Sequence, residues 1–326
     1  MNLIKQFRKY ELLIILILTP PLYAECNFEP NSDEGYVQIW NYHHHSDLFH
    51  IYITFMVSNL GDGDFNNGVT LFLVDKRNHQ KYLKALEFTN QNLRATPKKW
   101  EITLEKDNAF FLKNHEIYIK ANSGEDNPIL QFDIAIPLAR IHNQKHSLTI
   151  NDQSVDFEIL FLNPQKISFD YYEKKISLYG KQGIECLLSK SNPLKIADSI
   201  HFLRSLLPEP ENQAFLFLIE KNNSLIQGKT FFGGIVNDFE ITKTQEILKH
   251  HGFFIKNQDC EWKFQSLTSI GSFEVLQNVS LILRYFLKLI GINPEIVYSL
   301  ADTVIECEKK SKIHKLPDLH YTQIRF

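Results

Sequence analysis

Two apolar runs flank a polar block near the start of the chain. The first run spans Phe49–Val57, the second spans Val69–Val74, and the block between them is rich in Asn, Gly and Asp. The Asn67-Gly68 pair supplies residues that tolerate the positive φ angles of a sharp chain reversal. The pattern therefore predicts a β-hairpin.

Alternation with a period of two continues along most of the chain and predicts a mainly β protein. It is strictest over Leu130–Ile136, where every second residue is apolar until Pro137. Further predicted strands are Trp100–Leu104, Glu116–Ala121, Phe157–Leu162, Ile167–Tyr171, Ile176–Tyr179, Phe215–Ile219, Thr230–Ile235 and Tyr321–Phe326. Helical spacing is confined to Ile196–Leu207, Thr242–His250, Ser280–Ile290 and Pro294–Glu308. We expect an all-β fold with minor helices.

The length of the chain favours two β domains, because about 300 residues exceed one sandwich or one eight-stranded barrel. The polar segment His142–Gln153 lies near mid-chain and is the best boundary. We expect an N-terminal domain over residues 25–150 and a C-terminal domain over residues 151–326.

The first 24 residues have the pattern of a secretory signal peptide. Basic residues precede the apolar core Leu12–Leu18, and Ala24 suits the position before a cleavage point. The core is much shorter than the roughly 20 residues that span a bilayer. We expect an exported protein, periplasmic or extracellular, with no transmembrane segment in the mature chain. A lipid anchor on Cys26 is a weaker alternative, because Glu25 stands where such signals have a small residue.

Charge and cysteine content narrow the possible partners and chemistry. With 35 Lys and Arg against 38 Asp and Glu, the net charge is -3, and no basic stripe favours a nucleic-acid partner. The spacing of the four cysteines excludes a CxxC zinc ribbon or redox pair, and no motif calls for a cofactor. We expect one or two disulfides or buried thiols, with all three pairings open, among Cys26, Cys186, Cys260 and Cys307.

Part of the chain resembles a known family. Trp40, the hairpin FHIYITFMVSNLGDGDFNNGVTLFLVD and the later segment Lys98–Ile102 are similar to the lipocalin-like carotenoid hydratase and survival-factor proteins. The similarity covers roughly Tyr36–Leu162. It implies two lipocalin-like antiparallel β-barrels that act on or carry a hydrophobic molecule, by hydration, cyclisation or transport.

The resemblance also implies where a catalytic group would lie. Enzymatic members have acidic and His residues in the strand that opens the second domain, and the corresponding segment here, Gly183–Ser189, has only Glu185 as a titratable group. We therefore expect a carrier of a hydrophobic, lipid-like molecule without covalent chemistry, and we favour a binding protein over an enzyme. The alternatives are a hydratase, cyclase or isomerase using Glu185, His201 or Asp238, and a structural interaction module. The oligomeric state stays open.

Two further groups of residues are candidates for binding. The chain is 13% aromatic, and an eight-stranded barrel can hold one small ligand, so large aromatic side chains either line a ligand cavity or fill a dry core. These residues are Trp40, Phe55, Trp100, Phe132 and Trp262.

The second group is a run of histidines. His43, His45 and Asp47 share one face of an extended segment and imitate a two-His, one-carboxylate metal site. The stretch precedes the hairpin, so we expect a solvated connection and no metal site.

Overall fold

The computed structural model describes residues 26–59, 65–88, 90–105, 107–124, 128–138, 141–150, 153–207, 209–221, 224–240, 254–256, 260–274, 295–307 and 312–325. Over these residues the chain is all-β, as predicted, and forms two strongly curled antiparallel sheets. The remaining regular structure in the described part is a four-residue helix, α1 (Pro193–Ile196), and two 3-10 turns, Asn90–Asn92 and Pro210–Asn212. The predicted signal peptide lies outside the described residues.

The first sheet contains strands β1 to β12. Their bounds are β1 Val37–His45, β2 Phe49–Ser58, β3 Asn66–Asp75, β4 Gln80–Phe88, β5 Arg94–Ala95, β6 Glu101–Thr103, β7 Ala109–Lys113, β8 Glu116–Asn122, β9 Leu130–Pro137, β10 Ile141–Ile150, β11 Gln153–Tyr171 and β12 Lys174–Ser189. The strand order is β4-β3-β2-β1-β12-β11-β9-β8-β7-β6-β5, and β10 pairs with β11. The long strands β11 and β12 therefore connect the two groups of meandering strands.

The second sheet contains strands β13 to β20. Their bounds are β13 Ser199–Arg204, β14 Ala214–Lys221, β15 Ser224–Phe232, β16 Ile235–Glu240, β17 Phe254–Lys256, β18 Cys260–Glu274, β19 Glu295–Cys307 and β20 Lys312–Arg325. The order is β16-β15-β14-β13-β20-β19-β18-β17. The change of sheet falls between Ser189 and Ser199, whereas the boundary predicted at residue 150 falls in the β10–β11 hairpin and stays a prediction.

The hairpin prediction is confirmed, because β2 pairs with β3 in unbroken register from Phe49 opposite Asp75 to Ser58 opposite Asn66. The predicted position of the reversal is wrong, since Asn67 and Gly68 lie within β3, opposite Val57 and Met56. The alternation over β9 is confirmed: its residues are buried and exposed in strict turn from Leu130 to Pro137. Strand β9 therefore has one core face and one solvent face, and this is the condition under which a period of two is visible in sequence.

Two helix predictions are wrong. Ile196–Leu207 contains strand β13, and Pro294–Glu308 contains strand β19. Every residue of β13 is buried, since one face packs inside the second sheet and the other packs against the first sheet. A strand buried on both faces has no polar side to alternate with, so its apolar spacing imitated a helix. The predicted helices Thr242–His250 and Ser280–Ile290 lie outside the described residues.

Four clusters of buried apolar side chains hold the fold together. One fills the interior of the first sheet and one the interior of the second. The other two join the sheets: Phe157 on β11 packs with Phe202 and Phe217, and Tyr52 on β2 packs with Phe273 and Tyr298. The two sheets therefore share an extensive aromatic interface.

Two disulfides complete the framework. Cys26 is bonded to Cys186 across 160 residues, and Cys260 to Cys307 across 47 residues. Disulfides form and persist in oxidising compartments, so the pairing points to an extracytoplasmic environment. Across the described ranges, the search for a helix long and apolar enough to cross a membrane found none.

Candidate functional site between the two sheets

Strand β1 is buried along nearly its whole length because it lies between two cores. Trp40 and Tyr42 face the interior of the first sheet. The alternate residues Asn41, His43 and His45 face the second sheet, as expected from the period of two in a strand. The histidine run is thus part of a buried strand, and our expectation of a solvated connection is wrong.

The strand register arranges polar side chains in rows on this face. Asn41 lies opposite both Thr54 on β2 and Glu185 on β12. In the next row of the same face, His43 lies between Tyr52 and Gly183. Directly opposed residues have Cβ atoms about 5 Å apart, so the register alone assembles these groups.

Glu185 is the charged centre of the arrangement. Its Oε2 accepts a hydrogen bond of 2.7 Å from Asn41 Nδ2, and Asn41 Oδ1 in turn accepts one of 2.8 Å from Thr54. Its Oε1 lies 2.9 Å from Arg204 Nε, 3.3 Å from His43 Nε2 and 3.6 Å from His320 Nδ1. The carboxylate on the first sheet is therefore held by an amide from its own sheet and by a cation from the other.

Arg204 reaches Glu185 through a space that only glycine leaves open. The guanidinium is 1% exposed, and its Nη1 donates to the carbonyl oxygen of Ile184 at 3.0 Å. Its Nη2 contacts His43 Nε2. A Cβ at Gly183 would overlap the guanidinium, so Gly183 is required for the close approach of the two sheets at this point.

The electrostatics of the cluster follow from burial and this ion pair. Burial raises the pKa of Glu185, but the Arg204 guanidinium, His43 and His320 outweigh that effect and hold the pKa well below its usual range. Burial lowers the pKa of Arg204 to about 10, with Glu185 opposing the change. Burial, with Arg204 and His320, also lowers the pKa of His43. At neutral pH the cluster contains an ionised pair surrounded by neutral imidazoles.

A small cavity adjoins Glu185 between the sheets. Its volume is about 70 Å³, enough for a few water molecules or the end of an apolar chain. We call it the inter-sheet cavity. Its polar lining is Asn41, Thr54, Glu185, Tyr298 and Thr322, and its apolar lining includes Ile39, Leu187, Ile200, Phe202, Ile296 and Ile324.

A wider cleft lies on the first sheet, with a volume of about 410 Å³. It is lined by Phe28, Pro30, Phe65, Asn90, Gln91, Leu93, Ala95 and Pro97. None of these described lining residues is an acid or a base, whereas Glu185 lines the inter-sheet cavity.

A chain of histidines runs from the β1–β2 turn to Glu185. His50 Nδ1 lies 2.7 Å from His45 Nδ1, and His45 Nε2 lies 3.2 Å from His43 Nδ1. His43 then contacts Glu185 and Arg204 through its Nε2. His320 stacks on His43 with ring centroids 4.2 Å apart. We call His50, His45 and His43 the histidine chain.

Nitrogen atoms of His43, His45 and His320 lie within 4.8 Å of one another, a spacing that could hold an ion such as Zn²⁺. Two observations count against a metal. The Arg204 guanidinium already contacts His43, and Glu185 is already neutralised by it, so a divalent ion would add two uncompensated charges to a buried place. Asp47, the predicted carboxylate, is exposed in the β1–β2 turn. We do not assign these histidines as metal ligands.

The predicted aromatic residues lie in the interiors of the sheets. Trp40, Phe55, Trp100 and Phe132 belong to the first interior cluster and Trp262 to the second. The Trp40 indole donates to the carbonyl oxygen of Cys26 at 2.9 Å. None of the five lines the inter-sheet cavity, and a ligand cavity formed by them stays a prediction.

Among the candidate catalytic residues, Glu185 lines the inter-sheet cavity. His201 Nδ1 lies 2.7 Å from the Tyr321 hydroxyl and its Nε2 3.0 Å from Glu220, on the inner face of the second sheet. Asp238 lies in β16. Sequence reasoning missed Arg204, Tyr298 and His320, because they belong to other strands than Glu185 and no local motif marks them.

Known proteins were found that share the fold of this chain, and one of them is an enzyme. No protein-family model matches the chain, and no curated protein matches it in sequence. An AttH-like protein from Nitrosomonas europaea has a similar structure, with a TM-score of 0.59 at 11% identity over 94% of this chain and 98% of that one. Kievitone hydratase from Nectria haematococca has a TM-score of 0.59 at 10% identity over 95% and 94%.

The fold and the buried site together define a tandem lipocalin-like protein with polar groups between its two sheets. The resemblance first found in the hairpin is confirmed as a likeness of fold, and it extends from the first half to nearly the whole chain. Of these two structures, kievitone hydratase is named as an enzyme. Its similarity to this chain is one of fold, since the sequences are only 10% identical.

Our main functional expectation is wrong. We expected a carrier without covalent chemistry, because the segment that opens the second domain has no histidine. A solved structure that matches 95% of this chain is a hydratase, and here the histidines come from β1 and β20 instead of β12. Histidines approach Glu185 from these other strands, so the absence of histidine from Gly183–Ser189 does not argue against an enzyme.

The buried ion pair gives a first test. Glu185→Leu or Arg204→Met alone should lower the free energy of unfolding by about 3–5 kcal/mol, because each leaves the opposite charge buried and unpaired. The double variant should lose less than the sum of the two. Urea unfolding of all four proteins measures this, and Asp198→Ala, which breaks the partly exposed pair with Lys221, should change stability by only about 1 kcal/mol or less. Additive losses would contradict the pairing.

His44 gives a second test. It lies on the other face of β1, neither ring nitrogen has a hydrogen-bond partner among the described residues, and burial lowers its pKa to about 4. The unfolded chain, with a pKa near 6.5, therefore binds more protons at mildly acidic pH, so stability falls as the pH drops from about 6.5 towards about 4. His44→Leu should lose less stability than the wild type between pH 7 and pH 5. The exposed control His79→Asn should follow the wild type, and equal losses in His44→Leu would contradict the assignment.

Proposed function

We propose that the protein is an enzyme that adds water to, or isomerises, a carbon–carbon double bond of an apolar small molecule. The observation that carries the proposal is the Glu185 carboxylate on the wall of an otherwise largely apolar cavity. An apolar wall binds a hydrocarbon, and a carboxyl group beside it can pass a proton to an alkene carbon.

The groups around the inter-sheet cavity suit acid–base chemistry. The protonated form of Glu185 donates its proton to one alkene carbon and becomes the carboxylate that faces the resulting cation. Water adds to the other carbon and returns one proton to Glu185, so the sum is alkene plus water giving an alcohol. Arg204 keeps most of the Glu185 carboxyl ionised at neutral pH, so the reaction uses the protonated minority, which is a strong acid because its pKa is held low.

Neighbouring hydroxyls provide the positions for water. Tyr298 and Thr322 come from the second sheet and Thr54 from the first, and all three line the cavity opposite or beside Glu185. Burial raises the pKa of Tyr298, with Thr54 opposing and Glu185 adding to the change, so its hydroxyl stays a hydrogen-bond donor. Asn41 holds the carboxylate at a fixed orientation through its 2.7 Å hydrogen bond.

The likeness to kievitone hydratase supports this class of reaction. The two disulfides are consistent with a protein that works outside the cytoplasm. We also propose the finer location, export through the predicted signal peptide to the periplasm or the extracellular space.

A labelled-water experiment tests the proposal. The purified protein is incubated with a set of prenylated and polyene compounds in water enriched in ¹⁸O, and products are analysed by mass spectrometry. A hydratase gives an alcohol that contains ¹⁸O. In a parallel incubation in deuterated water, an isomerase gives an isomer of the compound that contains deuterium.

The matched variants are Glu185→Gln and Glu158→Gln. Both carboxylates are buried, but Glu158 pairs with Asn143 on β10 and does not line the inter-sheet cavity. We expect Glu185→Gln to lower the rate by at least about 100-fold and Glu158→Gln to leave it nearly unchanged. Full activity of the Glu185→Gln variant would overturn the proposal. So would the result that the wild-type protein binds the compounds but leaves all of them chemically unchanged.

A further inference from the structure

The proposed reaction at Glu185 does not by itself require the histidine chain. It connects three imidazoles in single file, with nitrogen–nitrogen distances of 2.7 Å and 3.2 Å, and its inner end lies 3.3 Å from Glu185. The outer end, His50, follows the β1–β2 turn; His50 and His45 are 7% and 8% exposed, whereas His43 is fully buried. Hydrogen-bonded imidazoles pass protons because each ring has one donor and one acceptor nitrogen when neutral.

We propose that the histidine chain is a proton relay between solvent and Glu185. It includes no residue that lines the inter-sheet cavity, so it would carry protons to the acid without opening the cavity to water. Its catalytic role rests on the proposed function, but the relay itself is defined by the described contacts and can be tested without a substrate.

The fixed charge of Arg204 determines the resting order of the chain. A guanidinium only donates hydrogen bonds, so His43 Nε2 accepts from Arg204 Nη2 and the proton of His43 is on Nδ1. His45 Nε2 then accepts from His43, and His50 Nδ1 accepts from His45. The proton of His50 is left on the outer nitrogen, Nε2.

One proton can cross this chain without any ring rotating. A proton that His43 Nε2 takes from Glu185 displaces the Nδ1 protons of His43 and His45 outwards, and His50 releases one proton from Nε2. All three tautomers are then reversed, the Arg204 guanidinium no longer donates to His43, and His43 Nε2–H can donate to the Glu185 carboxylate at 3.3 Å. A proton entering at His50 restores the first order and protonates Glu185, so charge and protons balance over the cycle.

The surroundings keep the rings neutral in both orders. His43 faces Arg204 on β13, His320 on β20 and Glu185 on β12. His45 is surrounded by His320, His43, His50 and His44, and His50 faces Lys76 and His320. The neighbouring cations oppose a trapped positive charge, so a proton that enters the relay would move on to Glu185 or back to solvent.

Hydrogen exchange of the ring protons tests the relay. In ¹⁵N-histidine-labelled full-length protein, NMR should place the resting proton of His43 on Nδ1 and show couplings across the His43–His45 and His45–His50 hydrogen bonds. The His43 ring proton should exchange rapidly with water in spite of complete burial, because exchange proceeds by hopping and not by unfolding.

Interruption of the chain separates a relay from a structural cluster. His45→Phe keeps a buried ring but removes both nitrogens, and it should slow the exchange of the His43 ring proton by about tenfold or more. His44→Phe is the matched control, since His44 lies next to His45 on the same buried strand and faces the other way. It should leave the rate unchanged.

Three outcomes would overturn the relay: equal exchange rates in the two variants, slow exchange in the wild type, or tight binding of Zn²⁺ that displaces the ring protons. If His45→Phe does not fold, as judged by circular dichroism, His50→Phe interrupts the outer link and should give the same slowing. An inactive protein with rapid, His45-dependent exchange would refute the proposed reaction but keep the relay.

Discussion

The ion pair between Glu185 and Arg204 determines how the two sheets meet. It joins β12 of the first sheet to β13 of the second at 2.9 Å, with both side chains almost entirely removed from solvent. A single unpaired charge in that position would cost several kcal/mol of stability. The carboxylate of the first sheet and the guanidinium of the second therefore each compensate the buried charge of the other. The glycine at position 183, the amide of Asn41 and the neutral imidazoles around them are all consequences of this pair.

The same pair explains why the polar chemistry lies between the sheets and not inside them. The interiors are filled by aromatic and aliphatic clusters that include the Trp residues. Between the sheets, aromatic clusters join β11 to β13 and β14, and β2 to β18 and β19, and the small cavity lies beside Glu185. A lipocalin-like barrel holds a ligand inside the barrel. Here the two sheets form a further cavity between them, with apolar walls and the Glu185 carboxylate.

The sequence predicts β9 from its period of two, because core and solvent alternate along this strand. The β2–β3 hairpin is largely buried on both faces, and it is predicted from two apolar runs that flank a polar block. Strands β1 and β13 are also buried on both faces, and their sequences predict a loop for the first and a helix for the second. The candidate site could be predicted only at Glu185. Arg204 and His320 reach it from β13 and β20 through contacts that no local pattern encodes.

The central claim is that an apolar molecule reacts between the sheets, beside Glu185. A crystal structure of the protein with a bound unreactive analogue of an alkene found to be a substrate tests this most directly. The account predicts electron density for the analogue in the inter-sheet cavity, with its reactive carbon in contact with the Glu185 carboxylate and the Tyr298 hydroxyl. Density in the 410 Å³ cleft beside Phe28, or in an interior lined by Trp100 or Trp262, with an empty inter-sheet cavity, would contradict it.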